Sequence, residues 1–130
     1  MSAISPEKIQ AYRHNFQARL NRQHDAREER REHALRAVYR EVPAILARWP
    51  SIQRAYLFGS VLSPGAFRQA SDIDIAVEGV TASEYFAIWR ALETALPDWV
   101  IDCRDITADT DSHFATSVRG TGKLIYEHAN

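Results

Sequence analysis

The sequence contains a single cysteine, Cys103, and therefore cannot form an internal disulfide bond. A chain without disulfides fits a reducing compartment, and Cys103, within the apolar run WVIDCRDI, is interpreted as a buried, inert thiol. No apolar run approaches the roughly 18–20 residues that cross a bilayer. The opening residues MSAISPEK lack the apolar core of a signal peptide. We therefore expect a soluble, cytoplasmic protein without membrane contact.

The sequence also lacks a strong overall charge, because its formal net charge at pH 7 is -1. That charge is unevenly distributed. Residues 1–50 hold ten Lys and Arg against six Asp and Glu, whereas residues 51–130 hold six against eleven. This asymmetry indicates a basic arm joined to an acidic body. The five histidines are scattered without metal-ligand spacing, so the sequence does not predict a zinc site.

The N-terminal segment is predicted to be a helical arm. Ser5 and Pro6 are the residue types favoured at a helix N-cap and first position. An apolar stripe follows at helical spacing, formed by Ile9, Tyr12, Phe16 and Leu20. Residues 21–33 then carry many charges and one apolar residue, so the helix either runs through solvent there or breaks near Asn21. The apolar pattern returns at residue 34, with a kink expected at Pro43 and the helix end at Pro50.

The rest of the chain predicts an α+β domain. The runs AYLFG, DIDIAVE, WVIDCRDI and GKLIYE have the apolar or alternating patterns of strands. Between them, Thr81 is expected to cap a helix, and SHFATSVRG predicts a short helix that a glycine ends. This order suggests a small mixed sheet with flanking helices, packed on one of its faces.

Two aspartates open the second predicted strand. Residues i and i+2 of a strand point to the same side, so Asp72 and Asp74 should project together while Ile73 and Ile75 face the core. Adjacent carboxylates repel unless a cation lies between them, and oxygen-only ligands suit Mg²⁺. Asp102 is an isolated acid in the third strand. If that strand pairs beside the first two aspartates, three carboxylates converge as in a two-metal site for phosphoryl transfer.

Gly59 and Ser60 follow the first predicted strand and could bind phosphate. Glycine lets the backbone approach an anion closely, and Ser60 offers a hydroxyl group and a backbone N–H at the start of a turn. Taken singly, each motif has an ordinary structural interpretation, such as a loop, an edge strand or a strand-end acid. Their combination predicts a phosphate and metal site.

These residues resemble the nucleotidyltransferase superfamily of the DNA polymerase β type, and within it the minimal nucleotidyltransferases, the MntA-like antitoxins of HEPN/MNT toxin–antitoxin pairs. The resemblance rests on LFGS, SDIDIAVEG, VID and GKLIYE, and it covers residues 34–127. It implies the nucleotidyltransferase palm fold for residues 34–130, with residues 1–33 as a separate helical arm.

The resemblance also implies roles for the site residues and the ligands. Gly59 and Ser60 would hold the triphosphate of ATP, and Asp72 and Asp74 would bind Mg²⁺. Asp102 would bind a second Mg²⁺ and help to activate the acceptor hydroxyl. All three aspartates would thus be catalytic and metal-binding residues.

The function implied is transfer of a nucleoside monophosphate, AMP from ATP, to a tyrosine of a partner HEPN-type toxin, which makes the protein an antitoxin by AMPylation. Two alternatives stay open: transfer to a small molecule or an RNA end, and a catalytically idle antitoxin that only binds its partner. The arm could be solvated, could bind a partner or form a homo-oligomer through its apolar stripe, or could contact nucleic acid. Acidic residues interleave with its arginines, which disfavours nucleic acid.

Two departures from the family pattern affect turnover. The spacer between Ser60 and Asp72 holds eleven residues, one more than usual in the family. Val61 and Leu62 stand where relatives often carry an arginine, so that phosphate contact would be missing unless Arg68 replaces it.

Overall fold

The protein consists of three α-helices and one four-stranded sheet, as seen in a computed structural model that describes residues 4–108 and 112–129. In chain order the elements are α1 (Pro6–Leu46), β1 (Arg54–Phe58), a 3-10 helix (Gly59–Leu62), β2 (Ile73–Glu78), α2 (Tyr85–Ala95), β3 (Ile101–Asp105), α3 (His113–Thr121) and β4 (Lys123–Glu127). The predicted α+β class and the long N-terminal helix are confirmed. Within the described ranges, none of the helices has the length and apolarity needed to cross a membrane.

The sheet is mixed, with the strand order β3-β2-β1-β4. Strand β1 runs antiparallel to both β2 and β4, whereas β2 and β3 are parallel. The register places Phe58 opposite Asp74, and Asp74 opposite Asp102. One row of neighbouring side chains therefore crosses three strands at the end of the sheet where β2 and β3 begin.

Each face of the sheet packs against different helices. The main core includes Leu57, Ile73 and Ile75, which are fully buried with residues of α1 and α2. On the opposite face, Ala76 packs with Ala115 and Val118 of α3. The helices thus cover both faces, not one face as the order of elements suggested. Because side chains alternate along a strand, Asp74 lies on the α3 face, where it stays half-buried.

Helix α1 is unbroken over 41 residues. Its first turn is capped by the Ser5 hydroxyl, which accepts a hydrogen bond from the backbone N–H of Lys8 at 3.3 Å. The helix does not break near Asn21, and it passes Pro43 before it ends at Leu46. Its fully buried residues begin only at residue 34, so the first part of the helix is covered far less than the second.

Two helix boundaries differ from the predictions. Thr81 does not cap α2, since its carbonyl oxygen accepts 3.1 Å hydrogen bonds from the N–H groups of Glu84 and Tyr85 in a turn that precedes the helix. In α3, Gly120 lies inside the helix, and the C-cap is Gly122. Local sequence signals therefore placed both helices correctly and missed their ends by a few residues.

Cys103 is buried in the main core, as predicted. Burial raises the pKa of its thiol to about 12, so the thiol stays protonated and unreactive at neutral pH.

Candidate functional site

The sheet brings the three predicted carboxylates together. Asp72 precedes β2, Asp74 lies within it, and Asp102 is the register partner of Asp74 on β3. One carboxylate oxygen from each residue lies within 4.8 Å of the other two. The parallel pairing of β2 and β3 is what creates this cluster, because it puts acids that are far apart in sequence side by side.

The cluster is electrostatically suited to a cation. Burial raises the pKa of Asp74 to about 6, and the negative charges of Asp102 and Asp72 act in the same direction. Below about pH 6 this carboxyl group holds a proton, and a bound cation would favour its charged form. The donor atoms are all carboxylate oxygens, which are the ligands that Mg²⁺ prefers. The residues present therefore fit a hard divalent cation.

Gly59 lies directly against this cluster. It has a φ angle of +81°, in the left-handed region that favours glycine. A Cβ atom at this position would lie 2.2 Å from Oδ2 of Asp74. The absence of a side chain therefore lets the backbone at the start of the 3-10 helix contact the carboxylate of Asp74. Ser60 follows at once and is partly buried, so the predicted phosphate-binding residues adjoin the predicted metal ligands.

Arg104 is a site residue that the sequence analysis missed. Its Nε atom lies 3.2 Å from Oδ1 and 3.3 Å from Oδ2 of Asp102. The signal was present in the run DCRD, since an arginine two residues after an acid in a strand lies on the same side of the sheet. The Arg104 side chain is 58% exposed, and its positive charge counteracts part of the negative charge of the cluster.

Helix α2 holds the backbone on both sides of Asp102. The hydroxyl group of Tyr85 donates a 2.5 Å hydrogen bond to the carbonyl oxygen of Cys103. The indole Nε1 of Trp89 donates to the carbonyl oxygen of Ile101 at 2.9 Å. Both aromatic side chains pack against the main core. They also satisfy carbonyl groups of the edge strand β3, which fixes the position of Asp102 in the cluster.

The predicted replacement arginine, Arg68, lies in the spacer loop beside α1. It is exposed and lines a shallow groove with Arg27 and Arg30 of that helix. Its backbone N–H donates to the hydroxyl group of Ser71 at 2.8 Å. A contact between Arg68 and a phosphate group stays a prediction.

The raised pKa of Asp74 predicts how stability depends on pH. Because its folded-state value of about 6 lies above the ordinary value of 3.8, the stability that this group contributes is present below about pH 4 and is lost as the pH rises through 6. We expect metal-free protein to melt about 3 °C below the Asp74→Asn variant at pH 7.5, and the gap to shrink at pH 5.

Differential scanning calorimetry of both proteins at the two pH values measures this gap. Mg²⁺ should raise the melting temperature of the wild type more at pH 7.5 than at pH 5, because the ion competes with the proton on Asp74. A pH-independent gap would contradict the assigned pKa.

The sequence matches a known protein family over most of its length. The protein-family model described as "Polymerase beta, Nucleotidyltransferase" matches residues 40–130. No curated protein matches the sequence.

The chain is also similar to solved structures, among them the following three. One, described as a toxin–antitoxin with AMP-PNP, is 29% identical with a TM-score of 0.55, and the match covers 68% of this chain and 73% of that chain. A mutant of the MntA–HepT toxin–antitoxin is 26% identical with a TM-score of 0.55 and the same coverage. A further MntA–HepT structure is 26% identical with a TM-score of 0.49, and the match covers 68% of this chain and 69% of that chain.

Proposed function

Because the chain belongs to the polymerase β-type nucleotidyltransferase family, we propose that it transfers AMP from ATP to a tyrosine hydroxyl of a HEPN-type toxin and thereby acts as an antitoxin. The observation that carries the transferase activity is the convergence of Asp72, Asp74 and Asp102 beside Gly59. Support for a toxin partner comes from the similar solved structures, which are described as toxin–antitoxin complexes, one of them with AMP-PNP.

The three aspartates would hold Mg²⁺, two ions in the family's pattern. When bound, the metal supplies positive charge that neutralises the triphosphate and the developing charge on the reacting oxygens. Gly59 offers a backbone that an anion can approach closely, and Ser60 offers a hydroxyl group and an N–H to the β- and γ-phosphates.

The proposed reaction is an in-line displacement at the α-phosphorus of ATP. A bond forms between the tyrosine oxygen and the α-phosphorus, while the bond from that phosphorus to the bridging oxygen of the β-phosphate breaks. Pyrophosphate leaves, and the phenolic proton passes to the carboxylate of Asp102. The position of Asp102, fixed from both sides by Tyr85 and Trp89, determines where the acceptor hydroxyl must lie.

The product explains how transfer could neutralise a toxin. An AMP group on a tyrosine adds bulk and a negative charge, and both oppose the binding of RNA at a nearby site. In this proposal residues 34–130 form the catalytic unit and residues 1–33 the arm. The exposed apolar stripe of the arm is its contact surface for the toxin or for a second copy of the chain.

The test is incubation of the protein with Mg²⁺, ATP labelled at the α-phosphate, and a candidate HEPN-type toxin. We expect label on the toxin, and loss of that label when the acceptor tyrosine of the toxin is changed to phenylalanine. Label on RNA or on a small molecule, with none on the toxin, would favour the first alternative function.

A binding-only antitoxin is the second candidate, and one observation favours it. Val61 is fully buried and Leu62 packs against the main core, so neither position presents a cation to a phosphate group. The double variant Asp72→Ala/Asp74→Ala separates the two candidates. If it still protects cells from the toxin, binding alone is the mechanism; if protection is lost while the complex still forms, transfer is required.

A further inference from the structure

The charged middle of α1 contacts the spacer loop that joins the two halves of the candidate site. The backbone N–H of Gly65 donates a hydrogen bond to Oε1 of Glu28. On the same helix, Nη1 of Arg31 donates to the carbonyl oxygen of Val61 at 3.3 Å. Two points of the loop, four residues apart, are therefore bound by one turn of the helix.

Glu28 and Arg31 also bind each other. Residues at i and i+3 of a helix are neighbours, and Nη2 of Arg31 lies 2.9 Å from Oε2 of Glu28 while its Nε lies 3.2 Å from both carboxylate oxygens. The Arg31 side chain is only 15% exposed, and that of Glu28 only 20%. The hydrogen bonds from Arg31 and from Gly65 lower the pKa of Glu28, as expected for a carboxylate that is bound in its charged form.

This contact differs from an ordinary surface ion pair. Neighbouring charged residues of the segment, such as Glu29 and Glu32, are exposed, whereas Glu28 and Arg31 each add a bond to the backbone of a distant loop. Gly65 has a φ angle of +79°, and a Cβ there would lie 3.2 Å from Nδ1 of His24. The loop thus approaches the helix closely at a residue that has no side chain.

We propose that Glu28 and Arg31 are positioning residues, which form a clamp that holds the spacer loop on α1 and thereby sets the position of Gly59 and Ser60 for binding the triphosphate. The role in nucleotide binding rests on the proposed function.

The path from the clamp to the phosphate-binding residues is short. The carbonyl group that Arg31 binds belongs to Val61, the residue after Ser60 and part of the same 3-10 helix. In that helix the N–H of Ser63 donates to the carbonyl oxygen of Ser60 at 3.0 Å. A displacement of Val61 would therefore move Ser60 with it. Misplaced binding groups would contact the triphosphate less well and weaken ATP binding.

Three variants test the clamp. Glu28→Ala removes both the acceptor for Gly65 and the partner of Arg31. Glu28→Gln removes the charge but keeps an amide oxygen that can accept from Gly65. Glu32→Ala removes an exposed glutamate of the same helix and serves as the matched control.

The first measurement is amide hydrogen exchange, which requires no nucleotide. We expect the Gly65 amide to exchange at least 10-fold faster in Glu28→Ala, to be partly protected in Glu28→Gln, and to be unchanged in Glu32→Ala. Unchanged exchange in Glu28→Ala would overturn the clamp, whatever the protein's activity.

The second measurement is ATP binding with Mg²⁺ by calorimetry, followed by transfer kinetics. Glu28→Ala should weaken ATP binding and raise the KM for ATP about 10-fold with a smaller change in kcat, and Glu28→Gln should recover most of the affinity. Faster exchange with unchanged ATP affinity would overturn the positioning role. If the wild type binds no nucleotide, the proposed function fails, while the exchange data still decide whether the clamp exists.

Discussion

Replacing Asp74 with asparagine is expected to lower kcat/KM for AMP transfer on the order of 10³-fold, because the variant loses the negative charge and one of the two carboxylate oxygens at the centre of the proposed metal site. Asp74 is the residue opposite Asp102 and in contact with Gly59, so it joins the proposed metal ligands to the proposed phosphate-binding residues. The same change should stabilise metal-free protein by about 1 kcal/mol at pH 7.5, a figure discounted for partial exposure, since it removes a carboxylate that its neighbours repel.

The opposite signs of these two effects make the result informative. A variant that is more stable and inactive cannot owe its inactivity to misfolding. Steady-state transfer kinetics and calorimetry on the same preparation provide both values. If Asp74→Asn kept more than a tenth of wild-type activity, the carboxylate cluster would not be the catalytic centre.

Replacing Gly59 with alanine should have the second largest effect. The new methyl group would lie 2.2 Å from a carboxylate oxygen of Asp74, and the positive φ angle is unfavourable for any residue with a side chain. We expect a loss of about 2–4 kcal/mol in the free energy of unfolding. Transfer should fall on the order of 10²-fold, because the backbone must move away from the Asp74 carboxylate.

Gly120→Ala is the matched control. Gly120 lies inside α3, and a Cβ there would meet no atom within 4 Å. Alanine is favoured over glycine in a helix, so this variant should gain about 0.5–1 kcal/mol and keep its activity. Chemical denaturation of both variants measures the change in the free energy of unfolding, and transfer assays measure the change in activity. Equal effects at the two positions would show that Gly59 has no special role.

The residues of the candidate site were identifiable from the sequence because their signals are local. The spacing of Asp72 and Asp74 follows from the period of a strand, and Gly59 follows an apolar strand directly. The position of Asp102 relative to them was a conditional prediction, because strand pairing and register depend on contacts between distant parts of the chain. The structure supplies that register, Asp74 opposite Asp102.

The contacts of α1 could not be predicted in the same way. Residues 21–33 offer no apolar stripe, so hydrophobic periodicity gives no sign that they touch anything. What they contact is the backbone of the spacer loop, through Glu28 and Arg31. Hydrogen bonds between charged side chains and a distant main chain leave no periodic pattern in a sequence. The start of α2 at Tyr85 was missed for a related reason, since the turn before it is built from main-chain hydrogen bonds to Thr81.

The length of α1 also affects how the protein diffuses. Its 41 residues span about 62 Å at 1.5 Å per residue, whereas a compact chain of this size has a radius of gyration of about 14 Å. The molecule therefore has a high frictional ratio for its mass. A monomer will elute early in gel filtration, at the volume of a larger compact protein. Light scattering measures molar mass independently of shape and therefore distinguishes an extended monomer from a dimer.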